Sequence, residues 1–282
     1  METDPFWRGS IALLYYFYQK NISSWGEVCQ WETPCLDIVF VIDSWYNVVI
    51  YLKESKCMYQ FYDLVGKEID KKEFIQLYNT CYYLTNSYVA EKEIENLLTD
   101  GIKSREDVFK IFAWKIGRID HKRSRQEGKI CYTKGCCLEK YEMTTRQGTI
   151  NIEKICRFIE REYTNLSKKK PVEILDELRK EPDKIEKLGS VYLLTLVYFI
   201  SKGKAPIYDR FAKMALDACM EKKKLGSYVK PFYLPDKKSK KLYSSYEENY
   251  SSKLYEYFGE ELKNRNLDRA LWVYGHLFRD QK

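Results

Sequence analysis

The sequence predicts a mainly α-helical protein with a buried core, for three reasons. Apolar side chains recur at helical spacing along most of the chain. Several of these segments open on a hydroxyl, acidic or proline residue of the kind that begins helices. The chain has 282 residues, 45% of them hydrophobic, which is enough to bury one large core or two modest ones. We divide it into an N-terminal helical or mixed lobe, residues 1–100, and a helical region, residues 101–282.

The first lobe contains two segments with apolar positions at helical spacing, Asp70–Leu84 and Glu91–Leu98. Earlier in the lobe, the apolar run 36–52 carries the polar residues Asp37, Asp43 and Asn47, which are costly in lipid. This run therefore predicts a buried helix or a strand pair, and its Val, Ile and Tyr content leaves both open.

The second region opens on a helix signature. Ser104 precedes the carboxylate of Asp107 by three residues, the spacing of a capping box, and an amphipathic run follows. The spacing predicts a helix over residues 105–117.

Further along, residues 118–149 are polar and interrupted by glycine, which predicts a long loop or a small hairpin. Residues 226–252 are rich in Lys, Ser and Tyr, which predicts an irregular surface segment. The remaining helices are expected at Ile150–Tyr163, Pro171–Arg179, Pro182–Ser201, Tyr208–Lys223 and Leu267–Phe278.

Composition narrows the classes of function. The net charge of +7 favours polyanionic partners only moderately. The nine cysteines are an odd number and form no Cys-x-x-Cys pair, which argues against a zinc ribbon or a closed disulfide framework. The run Ile11–Tyr18 is too short to span a bilayer, and the acidic N-terminus is unlike an export signal. We expect a cytoplasmic protein with no membrane partner.

The stretch Phe199–Leu216 is the most informative one. An apolar helix ends there in a Gly/Pro turn that delivers Asp209 to the start of the next helix. Asp209 can act simply as a helix cap, because aspartate there accepts backbone N–H bonds. A capped aspartate is also fixed in place and kept ionised, so a chemical role is compatible with the cap. The sequence places Gly203 at the end of the preceding helix.

Together with Gly189–Ile200 and Leu267–His276, this stretch resembles the helix-hairpin-helix DNA glycosylase superfamily, and bacterial proteins with an 8-oxoguanine DNA glycosylase fold in particular. The resemblance covers roughly residues 105–276. It implies a two-lobed helical fold, double-stranded DNA as partner and Asp209 as the catalytic carboxylate. The four-cysteine iron–sulfur spacing of some members is absent, because only Cys219 follows Asp209. We expect no metal or organic cofactor.

The family's phosphate-binding hairpin is only partly matched. Where it has Gly-x-Gly, this chain has Leu188-Gly189-Ser190-Val191, with one glycine and no attacking lysine. The resemblance therefore implies a monofunctional enzyme without a Schiff-base step. Gly189, Ser190 and Lys187 are the candidate phosphate clamp.

Other candidate DNA contacts are cationic. Lys202 and Lys204 flank Gly203, and equally suit a helix C-terminus. The basic stretch from Lys115 to Arg125 could follow a phosphate backbone or be a solvated loop; its candidates are Arg118, Lys122, Arg123 and Arg125. His276 is expected to be a hydrogen-bonded core residue.

Two functions follow. The first is a DNA-binding protein that excises a damaged or modified base through Asp209, as in base excision repair. The second is a module of the same fold without catalysis, which binds DNA or an unidentified protein, for instance in antiphage defence or a repair complex.

Overall fold

The computed structural model describes residues 36–43, 47–54, 59–145, 148–180, 189–234, 239–259, 262 and 265–279. Over these residues the chain is mainly helical with a few short strands, as the sequence predicts. The chain divides into two compact units. Unit 1 spans Met1–Phe74 and Asp217–Ser227, and unit 2 spans Ile75–Leu216 and Tyr228–Lys282. The division at residue 100 and the two-lobed glycosylase fold stay predictions.

Unit 1 contains an antiparallel strand pair, β1 (Leu36–Asp43) and β2 (Asn47–Glu54). Leu36 lies opposite Glu54 and Asp43 opposite Asn47. The apolar run 36–52 is therefore a strand pair and not a helix. Its β-branched and tyrosine residues suit the pleated conformation.

A second, very short hairpin in unit 1 joins β3 (Phe61–Tyr62) to β4 (Glu68–Ile69). The Asp63 carboxylate holds its turn by accepting from the amides of Val65 at 2.9 Å and Lys67 at 2.8 Å. The Gln60 amide donates to the Cys219 carbonyl at 3.0 Å, which ties this hairpin to the Asp217–Ser227 segment of the same unit.

Four helices follow in chain order: α1 (Lys71–Thr85), α2 (Tyr88–Asp100), α3 (Arg105–Lys115) and α4 (His121–Glu127). Helix α3 begins with the predicted capping box, in which Ser104 and Asp107 each accept from the other's backbone amide. Its predicted position is confirmed. The two helical segments predicted in the first lobe are confirmed as α1 and α2.

The segment predicted as a loop or hairpin contains both a hairpin and a helix. Strands β5 (Cys136–Cys137), β6 (Glu142–Thr145) and β7 (Gly148–Asn151) form an antiparallel sheet in the order β5-β6-β7. Helix α4 was not predicted, because its sequence has no apolar periodicity. The Asp120 side chain starts α4 by accepting from the Arg123 amide at 3.0 Å.

From residue 153 onward, the residues that the structure describes are mainly helical. The elements are α5 (Glu153–Leu166), α6 (Pro171–Lys180), α7 (Ser190–Ile200), α8 (Arg210–Met220), α9 (Ser239–Tyr246), a π-helical turn (Glu247–Ser251), α10 (Ser252–Phe258) and α11 (Asn266–Arg279). The predicted start of a helix at Pro182 lies outside the described residues. Among the helices that the structure describes, none is both long enough and apolar enough to cross a bilayer.

The prediction of an irregular surface segment over 226–252 is wrong from residue 239 onward. Leu242, Tyr246 and Tyr250 recur at intervals of four and are fully buried. The Tyr246 hydroxyl donates to the Pro206 carbonyl at 2.6 Å. This apolar stripe packs α9 and the π-helical turn into the core of unit 2. It was not predicted, because Lys and Ser residues on the other faces make the segment polar in composition.

Candidate functional site around Asp209

Helix α7 ends in a left-handed turn that leads to Asp209. Lys202 and Gly203 have φ angles of 54° and 82°, and the Gly203 amide donates to the Tyr198 carbonyl at 2.8 Å. The C-cap is Ser201, so Gly203, the predicted cap, lies two residues beyond it, where its amide closes the turn that ends the helix. Residues 205–208 are buried, and they carry the chain from this turn to Asp209.

Asp209 lies directly before α8 and caps it. Its Oδ1 accepts from the Phe211 amide at 2.8 Å. The predicted cap is therefore confirmed. The side chain keeps 21% of its surface exposed, so the carboxylate is fixed but accessible to solvent.

Lys115 is the counterion of Asp209. Its Nζ lies 3.2 Å from Asp209 Oδ2 and donates to the Tyr208 carbonyl at 3.1 Å, with only 9% of the side chain exposed. Lys115 ends α3, 94 residues earlier in the chain. Sequence reasoning placed it in a basic stretch facing DNA or solvent. The structure turns it inward instead, a pairing for which the sequence holds no local signal.

The surroundings of Asp209 favour its charged form. Burial on its own raises the pKa of the carboxyl, but Lys115, the Phe211 amide and the nearby His276 together outweigh burial and lower the pKa below its ordinary value. Asp209 is therefore ionised at neutral pH. Its charge, added to burial, raises the pKa of Tyr192, which lies on α7.

His276 approaches Asp209 from α11. Its ring lies between Phe211, at a centroid distance of 3.6 Å, and Trp272, at 4.0 Å. Nδ1 lies 2.8 Å from the Trp272 carbonyl, and it carries the proton because a carbonyl can only accept. His276 is buried and hydrogen-bonded, as expected of a core histidine.

Gly275 makes this approach sterically feasible. A Cβ built on Gly275 would lie 1.8 Å from the Phe211 carbonyl oxygen, far inside van der Waals contact. Only glycine lets α11 come this close to the start of α8. The contact holds the backbone of Phe211, whose amide donates to Asp209.

The pKa of a second carboxylate, Asp268, is shifted in the opposite direction to that of Asp209. Burial raises the pKa of Asp268, and the positive charges of Arg265 and Lys115 offset this only in part. Asp268 Oδ2 lies 3.3 Å from Arg265 Nη2. Environments that push two carboxyl pKa values apart are typical of acid–base sites, and also of structural ion networks.

A buried ion cluster on α2 and α11 supports the site. Glu91 is fully buried and lies 3.3 Å from both Arg265 and Arg269. Tyr82 and Trp114 each donate to Glu91 Oε1 at 2.8 Å. Burial raises the pKa of Glu91, but the two arginines and these hydrogen bonds hold it below the ordinary value. The cluster pins α2 to the chain that carries His276.

The structure describes two of the three residues of the predicted phosphate clamp, Gly189 and Ser190. Gly189 precedes α7 without a side-chain cap. Ser190 is buried, and its hydroxyl accepts from Arg179 Nη2 at 3.2 Å, so its side chain is occupied within the protein. Lys187 lies outside the described residues.

The other predicted cations fall into two groups. Lys202 and Lys204 are exposed on the turn that leads to Asp209. The second group lies at α4, which packs against α2: Arg118 is half-buried, whereas Lys122, Arg123 and Arg125 are exposed. Arg123 already has a counterion, with Nε 3.0 Å from Glu127.

Within the described residues, no three His, Cys, Asp or Glu side chains are grouped so as to hold a metal ion. A cavity of about 440 Å³ lies between α6 and α9, and Asp209 is not among its lining residues. Comparison with family models, curated proteins and solved structures found no match for this chain.

Proposed function

We propose that this chain binds DNA and removes a damaged or modified base by hydrolysing its N-glycosidic bond, with Asp209 as the charge-stabilising carboxylate. One observation carries the proposal: Asp209 is held ionised by a helix start and by Lys115, yet 21% of its side chain faces solvent. Breaking an N-glycosidic bond builds positive charge on the sugar. A fixed carboxylate stabilises that charge or orients the attacking water.

The position of Lys115 supports a monofunctional reaction. Its Nζ donates to the Tyr208 carbonyl and pairs with Asp209, and only 9% of the side chain is exposed. An amine held within the protein in this way is not free to attack a sugar carbon, so no Schiff base is expected from Lys115. Water is then the nucleophile.

DNA contacts in this proposal come from exposed cations. Lys202 and Lys204 lie on the turn next to Asp209, where they could neutralise phosphates flanking the target nucleotide. The target base must first leave the duplex, at a cost of a few kcal/mol. Gly189, at the start of α7, offers backbone N–H groups for one phosphate.

A second candidate, the non-catalytic module, is favoured by a specific observation. Both oxygens of Asp209 already have protein partners, Phe211 and Lys115. The turn before Asp209 is also covered, because the Tyr208 hydroxyl donates to the Phe232 carbonyl at 3.0 Å. Such an aspartate could serve only to hold α8 in place.

The test compares the wild type with Asp209→Asn and with Asp176→Asn, which alters a carboxylate on α6. Asparagine keeps the oxygen that accepts from Phe211 and removes the charge. Duplexes carrying damaged or modified bases, including modified phage DNA, are incubated with each protein and scored for alkali-sensitive abasic sites.

The proposed enzyme makes such sites with the wild type and Asp176→Asn and loses them with Asp209→Asn. No sites on any substrate, with DNA binding equal in all three proteins, supports the non-catalytic module. A covalent adduct trapped by borohydride would contradict the monofunctional reaction.

A further inference from the structure

An exposed tyrosine stands at the corner between α1 and α2. Tyr88 is the first residue of α2 and is 61% exposed, and Leu84, near the end of α1, is 37% exposed. The Tyr83 ring contacts Tyr88 at a centroid distance of 5.6 Å and an interplanar angle of 56°. Tyr88 is thus braced on one side while most of its surface stays in solvent.

Helix α4 is bonded to this same corner. The Ser87 amide donates to His121 Nδ1 at 3.0 Å, and Arg125 Nη2 donates to the Thr85 carbonyl at 3.0 Å. The two bonds fix α4 beside Tyr88. The Arg125 guanidinium is therefore held within the segment that displays the exposed ring.

Two further exposed cations lie on the two helices that meet at this corner. Lys92 follows Tyr88 by four residues on α2, so both lie on one face of that helix. Lys122 precedes Arg125 by three residues and shares its face of α4. Both helices of the aromatic corner thus carry exposed cations.

We propose that this corner, the Tyr88 platform, binds single-stranded DNA. An unpaired base stacks on Tyr88, and the adjoining phosphates contact Lys92, Lys122 and Arg125. Aromatic rings between cations suit single strands, because stacking accepts any base and the cations follow the backbone. In a duplex the bases stack on one another and offer no free face, so the platform should prefer unpaired DNA.

The inference rests on the proposed DNA binding but not on catalysis by Asp209. A strand opened by extrusion of a base is one source of unpaired nucleotides.

The experiment measures fluorescence anisotropy of a labelled 15-nucleotide oligo(dT) and of a labelled 15-base-pair duplex at low salt. The variants are Tyr88→Ala, Tyr88→Phe and the control Tyr233→Ala, whose tyrosine is 65% exposed elsewhere. Tyr88→Ala should weaken oligo(dT) binding about fivefold or more, the lower end for losing one stacked base. Tyr88→Phe and Tyr233→Ala should bind oligo(dT) like the wild type, and the duplex should respond less to Tyr88→Ala.

The cations are tested through salt dependence. Replacing Lys122 and Arg125 together by Gln should reduce the slope of log K against log salt by about 1.4, since each phosphate contact on a single strand contributes about 0.7. An unchanged slope removes these two residues from the platform.

Several results would overturn the platform: no binding of oligo(dT) by the wild type, equal weakening by Tyr233→Ala, equal weakening on duplex, or failure of Tyr88→Phe to restore binding. Thermal unfolding of each variant confirms that it folds. Asp209→Asn should bind oligo(dT) normally. If the wild type binds oligo(dT) but excises no base, the result counts against the enzyme alone. If the wild type excises a base but does not bind oligo(dT), the result counts against the platform alone.

Discussion

Replacing Gly275 by Ala should destabilise the protein, although alanine is the better helix former. The helix preference alone favours alanine by about 1 kcal/mol. The added Cβ, however, would lie 1.8 Å from the Phe211 carbonyl oxygen, whereas ordinary contact begins at 3.4 Å. The atom in the way belongs to the backbone, so α11 and α8 must move apart. Overpacking of this kind costs about 1–3 kcal/mol and occasionally more.

A clash this deep belongs at the upper end of that range, so the net loss should be about 2 kcal/mol. For a unit of this size the melting temperature should fall by about 4–8 °C. The assay is thermal unfolding followed by circular dichroism. Gly189→Ala is the control, because a Cβ there meets no atom within 4 Å. A Gly275→Ala protein as stable as the wild type, or more stable, would refute the packing argument.

Three further predictions concern charged groups. Lys115→Met should lower the free energy of unfolding by about 1–3 kcal/mol, because it leaves Asp209 without its counterion. A double-mutant cycle with Asp209→Asn, measured by denaturant unfolding, should show that the two substitutions are coupled. Additive changes in the free energy of unfolding would contradict the ion pair. Because the folded pKa of Asp209 is lowered from 3.8, its contribution is complete above that pH and is lost as pH falls through the folded value. Asp209→Asn should therefore flatten the acid limb of stability against pH, and an equally steep limb in the variant would count against this. Burial lowers the pKa of His121 from 6.5, so stability should decrease as pH falls below that value. His121→Asn should remove this decrease in denaturant titrations at a series of pH values, and an identical slope in both proteins would argue against a buried, neutral His121.

Local signals predicted much of the helical framework. The capping box at Ser104 and the apolar run after it fix α3, and Pro171 marks the start of α6. Helix α4 could not be predicted from apolar periodicity, because polar hydrogen bonds hold it against α2. One of them runs from the Ser87 amide to His121 Nδ1. The buried stripe of Leu242, Tyr246 and Tyr250 was not predicted, because lysine and serine dominate the composition of the residues around it.

The candidate site was predictable only in its local part. Asp209 at a helix start follows from the Gly/Pro turn and the apolar residues around it. Its partner Lys115 comes from 94 residues away, and a pairing over that distance depends on how helices pack. His276 could be recognised as a core residue, but its position near Asp209 depends on the close approach at Gly275.

The buried ion cluster also sets an order of events during synthesis. Glu91 cannot pair with Arg269 until that residue has been translated, 178 residues later. At about 5–20 residues per second, that interval is roughly 9–36 s. Throughout it, the nascent chain holds a carboxylate that cannot be buried without its cations, so α2 cannot settle into its final environment. The cluster in unit 2 is therefore completed only after the last helix is made, and a ribosome stalled before residue 265 leaves a chain that lacks the cations for Glu91.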